Sequence, residues 1–184
     1  MSSAFDVQVA ALLRDVPSKI EVAFSAPFDE RGEFEPRPFG ESDVPAGANA
    51  SVALSVASYR GGLDVKGLVS APWRGICRRC SSVIDGVLEV QVNERFEENL
   101  APENEEAYPF EGDVIDLSDL VHDAILLELP VAPLCRADCL GLCAICGIDK
   151  NEASCECRIE PDARWATLDA LRFEDDSSKK APDR

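Results

Sequence analysis

The chain has 184 residues, 46% of them hydrophobic, and carries 35 acidic against 18 basic side chains for a net charge of −17. That length suits one domain, or one domain with a small appendage, and an ordinary apolar fraction lets it build a core. The charge repels polyanions at long range, which excludes a protein that grips nucleic acid with its whole surface but leaves a local basic patch open.

The opening residues, MSSAFDVQVAALLRD, have no basic lead-in, and Asp6 and Gln8 interrupt their apolar run. No stretch approaches the roughly 18 apolar residues of a membrane span. The expectation is a soluble, cytoplasmic protein with no membrane partner. In a reducing cytosol, eight cysteines point to metal ligands or redox groups before structural disulfides.

In chain order, VQVAALLR at 7–14 predicts a short helix and KIEVAFSAPF at 19–28 alternates as a strand. Residues 29–48 carry three prolines, three glycines and mostly acidic charge, a loop. ASVALSVASYR at 50–60 is a half-buried strand. LDVKGLVSAPWRGIC at 63–77 follows Gly61-Gly62, so the two make a hairpin. VIDGVLEVQVNERF at 83–96 is the next strand, with Ile84, Leu88, Val90 and Val92 on one face, which leaves Cys77 and Cys80 at a tight strand connection. Residues 94–113 hold eight acids against one base, Arg95, and read as a solvated acidic loop. IDLSDLVHDAILLELPV then predicts a helix capped by Ser118 or Asp116. Leu117, Leu120, Val121, Ala124 and Leu127 form its apolar stripe, and Pro130 ends it. DARWATLDALRF at 162–173 reads as a closing helix, and the tail as disordered.

The expected fold class is therefore α+β: an antiparallel β-sheet with a few helices and a C-terminal cysteine-rich, zinc-knuckle segment. The expected organisation is a sheet domain over 1–130, a cysteine-rich knuckle with its closing helix over 131–173, and a disordered tail over 174–184.

Six of the eight cysteines fall within the 23 residues from Cys135 to Cys157. Cys143-Ala-Ile-Cys146-Gly147 has the spacing at which two thiolates hold one tetrahedral ion while the chain turns around it, and the glycine suits the left-handed turn of such a knuckle. Cys77-Arg78-Arg79-Cys80 has the same spacing, and its two arginines favour ionised thiols. Cys135/Cys139 and Cys155/Cys157 supply two further pairs. The compact partition joins Cys143 and Cys146 to Cys155 and Cys157, leaving Cys77, Cys80, Cys135 and Cys139 as a second four-thiolate site. The alternative draws one site from the six C-terminal cysteines and leaves Cys77 and Cys80 free. One or two structural zinc ions are thus the expected cofactor, since four thiolates leave no open position for water. Competing readings are reduced thiols, a disulfide, or a redox CxxC, although neither CxxC opens a helix after a strand. The ferredoxin cysteine run is absent.

The single histidine, His122, is expected on the solvated side of its helix, with no nucleophile beside it. No G-x-S-x-G, phosphate-binding loop or G-x-G-x-x-G occurs, so nothing recommends an enzyme or a small-molecule substrate. One segment opposes the global charge: Arg60, Lys66, Arg74, Arg78 and Arg79 against Asp64, with Trp73 among them. It suits phosphates with a base stacked on Trp73, or equally a set of basic residues paired with the acidic loop.

The CxxC at a strand connection, then DVIDLSDLVHDAILLELPVAPLC, CLGLCAICGIDKN with a trailing CEC, and DARWATLDAL, in that order, resembles the YceD-like family, the large ribosomal RNA subunit accumulation proteins. The resemblance spans roughly Phe5 to Leu171, and its specific part is Val114 to Leu171. It implies a cytoplasmic, non-enzymatic factor needed for normal levels of 23S rRNA and hence for large-subunit assembly. The implied partner is a ribosomal protein or assembly factor of the large subunit, or the 23S rRNA precursor. It supplies no catalytic residues; what carries over by position is the CxxC at Cys77 and Cys80 and the cluster Cys135, Cys139, Cys143, Cys146, Cys155 and Cys157. Some family members lack the C-terminal cluster, so the implied part of the metal is to stabilise the C-terminal lobe. From a different class stand a zinc-ribbon adaptor docking onto another protein complex and a thiol redox protein.

Overall fold

The computed structural model describes residues 3–28, 42–98, 107–158 and 164. The predicted closing helix, the tail, most of the loop at 29–48 and the centre of the acidic loop lie outside the described residues.

The elements, in order, are β1 (Asp6–Gln8), α1 (Ala10–Arg14), β2 (Lys19–Pro27), β3 (Ser42–Asp43), β4 (Asn49–Tyr59), β5 (Gly62–Ile76), β6 (Val83–Glu97), β7 (Tyr108–Pro109), β8 (Val114–Asp116) and α2 (Ser118–Glu128). The main sheet runs β2-β4-β5-β6-β7, and β3 pairs with β5. All its pairings are antiparallel except β6 with the two-residue β7, which is parallel. The α+β architecture with an antiparallel sheet is thus the observed one, and the four long strands fall within a residue or two of the alternating runs that predict them.

Alternation builds this sheet because successive side chains point to opposite faces. On β4, Ala50, Val52, Leu54 and Val56 are buried while Ser51 and Ala53 are exposed. On β5, Leu63, Val65, Val69 and Ala71 take the inner face, and on β6 Val92 and Phe96 do. The two-residue link Arg60-Gly61 closes the β4–β5 hairpin, with Gly61 at φ 100°. Phe5, Val9, Leu12, Ile115, Leu117, Leu120 and Ile125 close over that face and complete the core. Fully burying one such side chain contributes about 1.5–3 kcal/mol, so this face dominates the stability of the sheet.

Three local expectations are corrected. Residues 7–14 are not one helix. Asp6–Gln8 pair with Val114–Asp116, and only Ala10–Arg14 coil. A contact more than 100 positions away decides the conformation of three residues whose local pattern suits a helix. The apolar stripe of α2 is Leu120, Val121 and Ile125, while Leu127 is 86% exposed. His122 is half-buried rather than solvated. Its ring stacks on Phe28 with centroids 4.9 Å apart and planes 13° from parallel. At the start of α2, Asp116 Oδ1 accepts from the Ser118 backbone N–H at 2.9 Å, satisfying one of the helix's otherwise unpaired first donors.

The chain divides into two units, Met1–Gly141 and Leu142–Arg184, so the first unit reaches past α2 to include Cys135 and Cys139. Among the described residues no helix is long and apolar enough to cross a membrane.

Candidate metal centres

The eight cysteines gather in two sets of four: Cys77, Cys80, Cys135 and Cys139 in the first unit, and Cys143, Cys146, Cys155 and Cys157 in the second. Within each set all sulfur atoms lie within 4.8 Å of one another. These are the sets of the compact partition, and Cys77 and Cys80 are not left apart.

Each set is built on the same turn. In the first, the Cys77 N–H donates to the Ser82 carbonyl at 2.8 Å and the Ser81 N–H to the Cys77 carbonyl at 2.8 Å. In the second, the Cys143 N–H donates to the Ile148 carbonyl at 2.8 Å and the Gly147 N–H to the Cys143 carbonyl at 2.9 Å. The residue after the second cysteine is left-handed in both, Ser81 at φ 61° and Gly147 at φ 73°. Glycine takes that conformation freely; serine does so at a cost.

The first turn sits at the end of the two longest strands. β5 delivers Cys77, and β6 begins at Val83, three residues after Cys80. Cys135 and Cys139 arrive from the segment after α2, where the Arg78 N–H donates to the Pro133 carbonyl at 3.1 Å. Ile84 and Leu134 pack against Cys77, Cys80 and Cys139, all three of which are buried. Arg79 Nη1 donates to the Cys139 carbonyl at 2.8 Å. Peptide N–H groups take the part expected of the arginine side chains. The Cys135 and Cys80 N–H groups pointing at the Cys77 sulfur bring its pKa down to about 6. Burial, with the neighbouring thiols of Cys139 and Cys80, pushes Cys135 up to about 12.

The second set repeats the pattern. The N–H groups of Cys146 and Ile145 lower Cys143 to about 6, and the Cys146 thiol with desolvation raises Cys157 to about 12. Asp149 organises the loop between its two halves. Its carbonyl accepts from the Glu152 and Ala153 N–H groups, its carboxylate from the Asn151 N–H at 2.8 Å, and its backbone bridges Leu142.

Does the geometry fit a metal ion? Four thiolates about 2.3 Å from a tetrahedral zinc stand about 3.8 Å from one another. Cys77 and Cys139 have their sulfurs 3.8 Å apart, and Cys80 and Cys135 theirs 3.6 Å apart. A disulfide would need about 2.05 Å, and none of the eight cysteines is joined in one. Both sets could hold a metal ion, with Ser82 Oγ 3.1 Å from the Cys80 sulfur as an additional polar neighbour. Neither Ser82 nor the N–H···S contacts announce themselves in the sequence, because any residue has a peptide N–H.

The basic segment does not form one patch. Arg60 lies in the β4–β5 turn, while Arg78 and Arg79 lie beyond the other end of the 15-residue β5. At about 3.3 Å per strand residue the two ends are roughly 45 Å apart. Lys66 and Arg74 project from the outer face and Trp73 from the opposite one, where its indole lies over Gly86; a Cβ on Gly86 would come 2.5 Å from Trp73 Nε1. Arg74 pairs with Asp85 at 2.7 Å.

Residues 65–172 match the family profile described as large ribosomal RNA subunit accumulation protein YceD. The match covers more than half of the chain, and the chain belongs to the YceD family. It is 35% identical over 130 residues to an uncharacterised protein of Mycobacterium tuberculosis, covering 68% of this chain and 63% of that one. It is 36% identical over 116 residues to an uncharacterised protein of Mycobacterium leprae, covering 55% and 49% of the two chains. It is also 35% identical over 66 residues to the large ribosomal RNA subunit accumulation protein YCED homolog 1, chloroplastic, of Arabidopsis thaliana, covering 35% and 21%. The chain thus spans less than two thirds of the length of these relatives. No solved structure matches it.

Proposed function

We propose that this protein is a cytoplasmic, non-enzymatic factor that supports accumulation of 23S rRNA and assembly of the large ribosomal subunit. The observation that carries this reading is the family match over residues 65–172, which contains all eight cysteines and α2. The name of the Arabidopsis relative points the same way. A structural zinc ion in each cysteine set completes the proposal. It is supported by the sulfur spacings and by the closure of each set with four thiols.

The charge favours a protein partner over bare RNA. A net −17 complements a basic ribosomal protein or an assembly factor that carries one. The dispersal of the basic segment along β5, with Arg74 paired to Asp85 and Arg79 bonded to the Cys139 carbonyl, supports the same preference. The adaptor reading, in which the knuckles dock onto an unrelated complex, shares the metal sites but leaves the family match without a use. A dithiol redox cycle needs one pair of thiols, and the gathering of the sulfurs in fours favours an ion over it.

The test is depletion of the protein in its own host, followed by the ratio of 23S to 16S rRNA. A selective fall in 23S supports the assembly reading. An unchanged ratio with normal subunit profiles removes it and leaves the adaptor.

A further inference from the structure

The two cysteine sets share a turn but not a setting. In the first set, Cys77 is 1% exposed, Cys80 8% and Cys139 2%, and apolar Ile84 and Leu134 cover them. Two of its four ligands are fixed by β5 and β6, whose pairing runs unbroken from Gly62–Glu97 to Ile76–Val83. That scaffold has its own hydrophobic core. The other two ligands are tied by side-chain and backbone bonds, from Arg79 to the Cys139 carbonyl and from Arg78 to the Pro133 carbonyl.

The second set has none of this. Among the described residues of its unit, Cys143 is the only buried one; Cys146 and Cys157 are exposed and Cys155 half-buried. Its turn is held by short-range hydrogen bonds at Cys143, Gly147 and Asp149, and among the described residues no apolar cluster packs against it. Small segments without a core fold on a metal or not at all, because the binding free energy is their folding free energy.

We infer that the two sites form a hierarchy: the Cys77/Cys80/Cys135/Cys139 site releases its metal slowly, while the Cys143/Cys146/Cys155/Cys157 site exchanges it quickly and makes folding of residues 142–158 conditional on zinc. This rests on the metal reading proposed above. An exchanging ligand such as a chelator thiol must approach the ion: in the first set only Cys135 is exposed and the other three cysteines are buried, whereas in the second Cys146 and Cys157 are exposed, Cys155 is half-buried and only Cys143 is buried. Loss of the ion from the second site leaves the sheet standing, since no residue of the sheet core comes from 142–158. Leu142 and Ile145, both exposed, are therefore presented on an ordered knuckle only when zinc is bound there.

The experiment uses the full-length chain purified from zinc-replete cells. Elemental analysis first counts the ions. A chromogenic chelator in excess then follows their release, with pulses of iodoacetamide and mass spectrometry to show which cysteines become free. The expected result is two ions, released in two phases. Cys146 and Cys157 are alkylated during the fast phase, while Cys77 and Cys139 stay protected until the slow one. The double variant Cys146→Ser with Cys157→Ser loses the fast phase and keeps the slow phase and the strand signal in circular dichroism. Release in one phase with all eight cysteines labelled together, or Cys77 and Cys139 labelled first, overturns the hierarchy while leaving zinc binding intact. Absence of metal from the purified chain, with none taken up on titration, removes the zinc reading and the hierarchy together.

Discussion

Ser81 and Gly147 occupy the same place in two copies of one turn, each the left-handed residue after the second cysteine of a CxxC, at φ 61° and 73°. Each donates its N–H to the carbonyl of the first cysteine of its turn, at 2.8 and 2.9 Å. In the left-handed region an L side chain costs about 1–2 kcal/mol. Serine bears this cost where β5 and β6 hold the turn, whereas the second turn, flanked by no strand among the described residues, uses glycine.

Substitution at these two sites should therefore have opposite effects. Gly147→Val weakens zinc binding at the second site by roughly tenfold or more, as about 1.4 kcal/mol of strain requires. Ser81→Gly leaves the first site's affinity unchanged or slightly raised. Competition with a chelator of known affinity measures both. An unaffected second site in Gly147→Val would show that its turn is not left-handed.

Metal loading should depend on pH in a stated direction. Cys135 and Cys157 are held as thiols, pushed up to about 12, so an ion entering either set at neutral pH must displace at least that proton. Cys77 and Cys143, brought down to about 6, are already thiolates at pH 7 and become protonated competitors below pH 6. Affinity thus rises with pH, and falls more steeply once pH drops through 6. Adding zinc to the metal-free chain in a weakly buffered indicator solution should acidify it; a solution that keeps its colour would contradict the assignment.

On α2, Ile125→Ala should destabilise the protein by about 2–5 kcal/mol, while Leu127→Ser should change stability by less than about 0.5 kcal/mol. Ile125 is fully buried and Leu127 is 86% exposed. Urea unfolding of the two variants separates them. Equal losses would mean that the helix is rotated by a third of a turn from the position described.

Gly86→Ala should cost about 1–3 kcal/mol, an overpacking penalty, because the new Cβ meets the Trp73 indole at 2.5 Å and the two residues face each other across β5 and β6. Tryptophan fluorescence should shift as the indole moves out. A variant with wild-type stability and spectrum would place Trp73 elsewhere.

Binding to isolated 23S rRNA should be weak, and charge reversal of Arg60 and Lys66 should alter it little, since the two do not share a patch with Arg78 and Arg79. Binding to basic large-subunit proteins should be stronger and should weaken with salt. Filter binding and pull-down at two ionic strengths distinguish these outcomes.

The long strands could be read in the sequence because their period-2 alternation runs for nine to fifteen residues each, as in Lys19–Pro27 and Val83–Glu97. The short elements could not. β1, β3, β7 and β8 have two or three residues each, and their partners, such as Ile115 for Val7, are set by the tertiary fold. The α2 stripe was misplaced at its end: Ala124 packs against the core as its spacing suggests, but Ile125 is buried and Leu127, at helical spacing from Ala124, is exposed. The cysteine spacing spoke for the two turns. It was silent about the peptide N–H groups that tune them, and the run of basic residues on β5 concealed that alternate positions face opposite sides.

The segment bearing Cys135 and Cys139 returns to the tip of the β5–β6 hairpin after the chain has formed β6, β7, β8 and α2, so Cys77 and Cys139 meet across 62 positions. An ion held between them would close a ring of chain around most of the core-covering elements. Such a ring shrinks the disorder available to the unfolded polypeptide, as a disulfide does in an oxidising compartment. In a reducing cell that constraint would persist without oxidation, and it would disappear in one step if the ion were withdrawn. Chelation should then lower the free energy of unfolding of α2 and β6 together, even though neither element supplies a cysteine to the site.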